Sequence, residues 1–383
     1  MIHLLNDKIS NEIVKPFDDE VLEFTHKLSL ELLSKKYKEF PELIALGFWL
    51  RDAHIKKLKQ KFIKSTQDKL IQARGVVFHI APNNVDTIFL YSLLLSMFVG
   101  NSNIVRVSQN ITPQMQMLLD ILTKTITSYE NVSKKMMIVS YGHDDKITTK
   151  FSMMCDVRVV WGGDNTISHI RKLPLKATST ELLFANKFSL LAIKLKDKDE
   201  LTNNFLEKCY RDSITFMQQA CSSVKAICWI DTTQNLQDIF WKKFLKFVEE
   251  KETIFDEKGS VDKLMVEIKL ALNHNVTIKN ENNIFKVKLP TIQALESKNH
   301  CGLGLFYEVD LQTLDKLLDN VDRGYQTLSV YGFTKEDIKK SFQTSKPKGI
   351  DRVVSLGKAM EFSPIWDGYD MMQSLCRVID VDI

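Results

Sequence analysis

The sequence predicts an α/β protein, in which a parallel, doubly wound sheet is followed by a second α/β set. From residue 75 onward, short apolar runs alternate with segments of helical length, a pattern typical of βαβ units. Apolar residues make up 44% of the 383 residues, which is enough to bury large cores. At roughly 150 residues per domain, this length suggests two or three domains.

The first 70 residues are expected to form a helical segment. Asp18 is a favourable N-cap residue, and the apolar residues between Val21 and Leu32 recur near helical spacing. A second helix is expected after Pro41 and through Phe62. Its many lysines indicate a solvated face more readily than a site for an anionic partner.

Residues 71–214 are expected to form the first sheet domain, rejoined by 357–383. Right-handed crossovers would place its helices on both faces of the sheet. Strands are predicted at 75–80, 103–107, 135–140, 156–161 and 188–195, and helices at 85–99, 113–128, 144–154, 165–173 and 198–217.

Residues 215–356 are expected to form the second α/β domain. Its predicted strands are 223–230, 284–289, 303–309 and 327–333, and its predicted helices are 234–250, 261–273 and 311–320. A loop is expected at 343–351, and the end of the chain, 366–378, is expected to be helical.

Composition excludes several classes of protein. The net charge of +4 is small, and arginine is scarce beside lysine, so we expect no nucleic-acid partner. The longest apolar stretch, 88–99, is shorter than the roughly 20 residues of a membrane span, so a buried helix is expected there. The first 20 residues show no secretory signal, and a cytoplasmic location is expected. The six cysteines lack zinc-ligand spacing, so no metal site is expected.

The usual dinucleotide fingerprints are missing. No G-x-G-x-x-G follows the first strand and no phosphate-binding P-loop occurs, while Gly302 and Gly304 lack the third glycine because Tyr307 stands there. Gly162 and Gly163 follow a predicted strand and precede a helix. They either let backbone N–H groups approach a phosphate or nicotinamide, or form a plain tight turn.

Two further segments offer candidate catalytic side chains. Pro82, Asn83 and Asn84 follow the first strand of the sheet, where an amide could donate to a developing oxyanion or simply cap a turn. Cys221 lies in the polar stretch 218–223, before an apolar strand that contains Cys228. An accessible thiolate is a nucleophile, so Cys221 is either a catalytic residue or an inert thiol.

Eight segments, taken in order, resemble the LuxC-type acyl-CoA reductases, a branch of the aldehyde dehydrogenase superfamily. They are 48–51, 74–85, 100–108, 161–164, 218–223, 326–332, 351–354 and 365–370. The resemblance implies an aldehyde dehydrogenase-like fold, with a Rossmann-like cofactor domain over 71–214 and a catalytic domain over 215–356. It also implies that Cys221 is the nucleophile and that Asn84 is an oxyanion donor.

The same resemblance implies NADPH as the cofactor. Arg106 replaces a superfamily lysine that contacts the adenosine ribose, and arginine suits a 2′-phosphate. Pro82, Asn83, Gly162 and Gly163 would line the cofactor site. The superfamily motif E-L-G-G-K, whose glutamate activates a hydrolytic water, is replaced here by 181–187 without the glycine pair. The water-activating role is therefore not assigned to Glu181. The absence of a residue that activates water fits a reductase, because reduction of a thioester needs no hydrolytic water.

The expected reaction is reduction of an acyl-CoA or other acyl thioester to an aldehyde, through a Cys221 acyl-enzyme and a thiohemiacetal. The resemblance also implies an acyl-protein synthetase-like ligase as partner, and a homo-oligomer is expected. Two alternatives stay open, an acyl phosphate reductase of the same superfamily and a non-catalytic nucleotide-binding partner of an acyl-activating ligase. The acid that protonates the leaving thiolate is also open among four histidines, His79, His143, His169 and His300.

Overall fold

A computed structural model describes residues 1–82, 85–252, 257–281 and 283–382, without the side chains of 257–260. The chain divides into two compact units, Met1–Ala185 with Phe362–Ile383, and Asn186–Glu361. The first boundary thus follows residue 185 where the sequence suggested 214, because the strand at 188–193 pairs within the second sheet. The N-terminal helices belong to the first unit rather than to a separate domain.

The first unit contains the predicted parallel sheet. Its strands are β1 (Ile2–Leu5), β2 (Leu70–Ala73), β3 (Val76–Ile80), β4 (Ser102–Val107), β5 (Met136–Ser140), β6 (Val157–Trp161) and β7 (Thr180–Phe184). Six of them form a sheet in the order β1-β5-β4-β3-β6-β7, and only β1 runs antiparallel to its neighbour. The fold class is confirmed, while β1, β2 and β7 were not predicted.

Among the described residues before Ala185, eight α-helices accompany these strands. They are α1 (Asp19–Leu32), α2 (Pro41–Trp49), α3 (Asp52–Ser65), α4 (Ile88–Phe98), α5 (Pro113–Ile126), α6 (Glu130–Lys134), α7 (Asp145–Met154) and α8 (Asp164–Ile170). The Asp18 carboxylate accepts the Glu20 backbone N–H, so the predicted cap is confirmed. The single helix expected after Pro41 is two helices, because the chain turns at Leu50 and Arg51 between α2 and α3.

Helix α4 is the apolar stretch that the sequence singled out as too short for a membrane. Every side chain of this helix is buried, which confirms the interior assignment. Among the described residues, no helix is both long and apolar enough to span a membrane.

The core of the first unit lies on both faces of its sheet. Val77 and Val159 pack with the N-terminal helices and α4 on one face, whereas Phe78 and Val160 pack with Phe151 on the other. Successive strand residues point to opposite faces, so a sheet covered on both faces needs continuous apolar runs. The run 76–80 is apolar apart from His79, and all five of its residues are buried.

The described residues of the second unit form a seven-stranded sheet. Its strands are β8 (Phe188–Ile193), β9 (Val224–Ile230), β10 (Thr277–Glu281), β11 (Ile284–Lys288), β12 (Leu305–Leu311), β13 (Tyr325–Tyr331) and β14 (Arg352–Ser355), and its helices are α9 (Asn203–Ser213), α10 (Gln234–Glu250), α11 (Glu257–Asn273), α12 (Leu314–Leu318) and α13 (Lys335–Ser345). The strand order is β10-β11-β12-β9-β8-β13-β14, and only β10 is antiparallel to its neighbour. The strand β9 continues the turn that carries Cys221.

Several predicted elements have other bounds in the structure. The helix expected over 198–217 ends at Ser213, where the chain bends sharply. The loop expected over 343–351 begins only after Ser345, because residues 343–345 form the end of α13. The Thr334 side chain caps the start of this helix.

The C-terminal helix expected over 366–378 was wrong. This segment holds the short strands β15 (Ile365–Trp366) and β16 (Tyr369–Asp370), the short helix α14 (Met371–Ser374), and β17 (Cys376–Ile379) antiparallel to β2. Asp367 and Gly368 both have positive φ, +46° and +79°. An Asp-Gly pair favours this tight hairpin turn, which stops a helix from crossing it.

Candidate functional site

The first sheet has a switch in its winding direction. β3, β4 and β5 follow one another toward one edge of the sheet, whereas β6 returns to the other side of β3. In open α/β sheets, ligands bind beyond the carboxyl ends of strands at such a switch point. Pro82 follows β3 and Gly162 follows β6, so both lie at this position.

The structure brings several of the residues proposed for the cofactor to this one sheet edge. Pro82, Gly162 and Gly163 follow the ends of β3 and β6, and Arg106 is the penultimate residue of β4. The predicted residues Asn83 and Asn84 lie outside the described residues. Gly163 precedes α8 without a side-chain cap, and the Gly162 backbone N–H donates to the Phe184 carbonyl at 3.1 Å.

Arg106 has an environment suited to an anion. Its Nε and Nη2 donate to the Tyr141 carbonyl oxygen at 3.2 and 3.1 Å, and its Cζ lies 5.5 Å from the Tyr141 ring centroid. Burial lowers the pKa of the guanidinium. Within the described residues, no carboxylate lies in ion-pair range of Arg106. A half-buried guanidinium without a counter-charge can accommodate a phosphate in this place.

His79 has a structural role behind this edge. The ring is fully buried, with Nδ1 at 2.8 Å from Ser92 Oγ and Nε2 at 2.9 Å from Asn103 Oδ1. Burial lowers the pKa of His79 to about 4, against a smaller opposing effect of Asn103. The Trp161 indole donates to the same Ser92 hydroxyl at 3.1 Å. His79 is therefore a neutral, satisfied core residue rather than an acid that protonates a leaving group.

Glu181 balances a buried charge. It lies directly opposite Arg158 on neighbouring strands, and its Oε1 accepts from Arg158 Nε at 2.7 Å and lies 2.5 Å from Nη2. Arg158 is 1% exposed. The carboxylate of Glu181 is thus engaged in neutralising an interior guanidinium, which agrees with not assigning it a water-activating role.

In the second unit, the turn before Cys221 is strained. Phe216, Met217 and Gln218 have φ of +57°, +53° and +61°, three consecutive non-glycine residues in the left-handed region. Each such residue costs about 1–2 kcal/mol, and strain of this kind concentrates at functional sites. The bend ends the preceding helix early and leads into the half-buried turn that holds Cys221.

The amide of Gln218 holds this bend against the loop before β12. Its Nε2 donates to the carbonyl oxygens of Val224 and Leu305, each at 2.9 Å, and its Oε1 accepts the Gly304 N–H at 2.9 Å. The neighbouring Gln219 Nε2 donates to the Cys301 carbonyl at 2.8 Å. The two glutamines therefore fasten the loop 301–304 to the cysteine turn.

Gly302 permits this close approach. It has φ +73°, and an added Cβ would lie 2.7 Å from Gln219 Nε2 and 2.9 Å from the Gln218 carbonyl oxygen. The G-x-G at 302–304, which fails as a nucleotide fingerprint, thus serves the turn that carries Cys221.

Cys221 itself is anchored through its backbone. Its carbonyl oxygen accepts the Ser189 hydroxyl at 2.7 Å, and the same hydroxyl accepts the Thr327 N–H at 3.2 Å. Cys221 as a residue is only half-buried, in contrast to the buried Cys228 on the adjoining strand. Its backbone is therefore held by neighbouring strands at a partly exposed position.

The other five cysteines are poor nucleophiles. Burial raises the pKa of Cys155 and Cys301 to about 11, and the pKa of Cys228 and Cys376 to about 12. Burial likewise raises the pKa of Cys209 well above its ordinary value. Since thiols with raised pKa stay protonated at neutral pH, none of these five matches the expected nucleophile.

The sequence did not connect two further residues, Lys225 and His300, with the turn that carries Cys221. Lys225 is four residues further along the chain, and His300 lies in the loop that the glutamines hold. His300 was named only as one of four possible acids, and Lys225 was not named. No motif marks either residue, because the contact between turn and loop joins segments about 80 residues apart.

The sequence of this chain matches one known protein family. A model of the family described as acyl-CoA reductase (LuxC) matches residues 56–378. Among curated protein sequences, no relative matches the chain.

Solved structures similar to the chain are aldehyde dehydrogenases. A NAD-dependent benzaldehyde dehydrogenase from Corynebacterium glutamicum is 12% identical, with a TM-score of 0.63 and coverage of 94% of this chain and 82% of that one. Aldehyde dehydrogenase 21 from Physcomitrella patens, solved with the product succinate, is 11% identical, with a TM-score of 0.66 and coverage of 94% and 85%. At such identities the likeness shows the fold.

Proposed function

The chain belongs to the acyl-CoA reductase (LuxC) family, an oxidoreductase family that forms aldehydes from activated acyl groups, and we propose that Cys221 carries its acyl intermediate. The observation that carries this proposal is the half-buried Cys221 on a strained, cross-fastened turn. The raised pKa values of the five other thiols support the same choice.

In the proposed reaction, the Cys221 thiolate attacks the carbonyl carbon of an acyl thioester. The bond between that carbon and the CoA sulfur breaks, CoA leaves as a thiolate, and the acyl group stays on Cys221 as a new thioester. After reduction, the Cys221 thiohemiacetal loses its proton and collapses, which releases the aldehyde and restores the thiolate. Proton release and uptake balance over the cycle, so one acyl thioester, one hydride and one proton give one aldehyde and one thiol.

A nicotinamide cofactor, when bound, supplies the hydride. The residues at the switch point fit such a cofactor, since the Arg106 guanidinium has no ion-pair partner among the described residues and no described side chain caps the start of α8 at Gly163. We favour NADPH because a guanidinium pairs well with a 2′-phosphate. Pro82, Gly162 and Asn83 are proposed to line the same site.

The carbonyl oxygen of the acyl group gains negative charge when the tetrahedral intermediates form. We propose the side-chain amide of Asn84 and the Cys221 backbone N–H as donors to it, a role that rests on the family resemblance. Each such donor contributes roughly 3 kcal/mol to the transition state in comparable sites. The acyl donor is proposed to come from an acyl-activating ligase, and the enzyme is proposed to act as a homo-oligomer.

The test compares Cys221→Ser with the matched control Cys228→Ser, whose thiol is buried in the adjoining strand. Aldehyde formation is measured with acyl-CoA substrates of increasing chain length and with an acyl phosphate. We expect Cys221→Ser to lose aldehyde formation while Cys228→Ser retains it, with thioesters preferred over the acyl phosphate. Normal turnover of Cys221→Ser would refute the nucleophile, and preference for acyl phosphate would reassign the substrate.

A further inference from the structure

Helix α11 presents an apolar stripe to solvent. The stripe consists of five side chains that are 46–80% exposed, Val261, Leu264, Met265, Ile268 and Leu272. They recur at three- or four-residue spacing, which places them on one face of the helix. Among the described residues of the second unit, every large apolar side chain that is exposed belongs to this α11 stripe.

The opposite face of α11 is already packed. Val266 and Leu270 belong to the core of the second unit, and Lys263 Nζ donates to the Asn283 carbonyl oxygen at 2.8 Å. The helix is therefore apolar on two faces, of which the second unit covers one. Apolar residues on opposite faces are typical of a helix that is buried on both sides. The α11 stripe thus has the composition of a contact surface for another protein molecule.

The α11 stripe is large enough to form the centre of a protein interface. From Val261 to Leu272 it extends about 17 Å along the helix axis. The largest apolar patch on a typical monomer covers about 300–600 Å² and is often functional, and five large side chains exposed to this degree form a patch of that order. Each partner in a standard interface contributes about 800 Å², with an apolar centre and a polar rim. The stripe supplies such a centre, and the polar residues beside it supply a rim.

Charged residues on one flank of the stripe are arranged for self-association. Asp262 and Lys269 are both exposed, and they lie two helical turns apart on the same side of α11. Neither forms a salt bridge with another described residue. When two copies of α11 pack antiparallel about a two-fold axis, this flank meets the same flank of the second copy, so that Asp262 of each copy lies opposite Lys269 of the other. A parallel pair would set this flank against the other one, where Leu264 lies, and would leave both charges unmatched.

We propose that the α11 stripe is an interface at which two copies of this chain pack antiparallel, with the two-fold axis beside Met265. The two apolar stripes meet at its centre, and two ion pairs between Asp262 and Lys269 close one side. Because such a contact uses the same surface on both copies, it closes on itself and gives a defined assembly rather than an open fibre. The proposal deepens the proposed function, since it rests on the homo-oligomer proposed there and assigns it a contact surface.

The first experiment measures the mass of the assembly by sedimentation velocity, in the full-length protein over a range of concentrations and without substrate or cofactor. Leu264→Glu and Ile268→Glu each place two carboxylates, one per copy, in the apolar centre. We therefore expect either change to halve the mass and to raise the dissociation constant roughly a hundredfold. The matched control is Leu30→Glu on α1, since Leu30 is 53% exposed and Leu264 is 51% exposed, and it should keep the mass of the parent protein. Circular dichroism confirms that each variant is folded.

The second experiment tests the antiparallel arrangement. Asp262→Lys and Lys269→Asp should each raise the dissociation constant roughly tenfold, and the double variant, in which the two charges are exchanged, should restore most of the affinity. Under mild oxidation, Met265→Cys should form a disulfide between copies, identified by peptide mapping, because the two copies of this residue meet at the axis. Leu272→Cys should not, because its two copies would lie about 20 Å apart.

A monomeric parent protein would overturn the proposal and leave the stripe to a different protein. An assembly whose mass survives both glutamate variants would refute this surface while the homo-oligomer itself stands. A disulfide at residue 272 without one at residue 265 would overturn the antiparallel arrangement. Because none of these measurements depends on turnover, their outcome is separate from failure of the reductase activity.

Discussion

Replacement of Glu181 by alanine tests whether this residue serves the fold or the chemistry. The variant leaves Arg158, which is 1% exposed, without its ion-pair partner. Removing one member of a buried pair costs about 3–5 kcal/mol, because the remaining charge is left uncompensated. The Glu181 side chain is 19% exposed rather than fully buried, so we expect the lower end of this range, about 3 kcal/mol.

The first measurement is the thermal unfolding transition of the first unit. The second is aldehyde formation by folded protein at low temperature. A loss of about 3 kcal/mol corresponds to a fall of roughly 6–12 °C in Tm for a unit of this size. Turnover per folded molecule should stay within about twofold, because Glu181 is not assigned to the reaction.

A double variant provides the control. In Arg158→Met with Glu181→Leu, both charges are absent and no buried cation remains, so the loss of Tm should be smaller than for Glu181→Ala. Arg158 also donates to Ser152 Oγ at 3.1 Å and to the Leu173 carbonyl at 3.3 Å, and these acceptors lose a donor in the double variant. An unchanged Tm for Glu181→Ala together with lost turnover would refute this reasoning and make Glu181 a catalytic group.

Three further changes address the turn, the buried histidine and the cofactor site. Gly302→Ala should lower turnover at least tenfold, since its φ is +73° and its Cβ would lie 2.9 Å from the Gln218 backbone carbonyl oxygen. Gly324→Ala, whose Cβ would meet the Asp322 carboxylate at 3.0 Å, should be tolerated, and equal effects of the two changes would contradict the packing argument. Unfolded histidine gains a proton near pH 6.5 but folded His79 only near 4, so stability should fall by up to about 3 kcal/mol as the pH drops through this window. His79→Gln should flatten that slope in denaturant titrations, and an unaltered slope would rule out the assignment. Arg106→Leu should raise the KM for NADPH at least tenfold and leave that for NADH nearly unchanged, and an unaltered NADPH-to-NADH ratio would argue against a 2′-phosphate contact.

Local composition was sufficient to predict most of the framework. Mostly apolar runs such as 76–80 predicted buried parallel strands, because a sheet covered on both faces buries the side chains on both sides of each strand. Helix α10 begins and ends at the predicted residues, 234 and 250, since its apolar positions recur at helical spacing. The Asp367-Gly368 turn shows the opposite case, in which a two-residue turn signal overrides a helical pattern.

The site was less accessible to sequence reasoning. Cys221 could be singled out from its polar surroundings and from the family resemblance. The left-handed run 216–218 and the hydrogen bonds of Gln218 and Gln219 could not, because these side chains bond to the loop 301–304 and to Leu305, more than 80 residues further along the chain. Periodicity and spacing describe neighbours along the chain, whereas these contacts form only when the second sheet brings β9 and β12 together.

The most direct test of the central assignment is the intact mass of the protein after mixing with an acyl-CoA in the absence of any reductant. The account predicts a single added acyl group, located on Cys221 by peptide mapping and absent from Cys221→Ser, while Cys228→Ser is labelled like the parent protein. Absence of an adduct at every chain length, or an adduct on a cysteine other than Cys221, would contradict it.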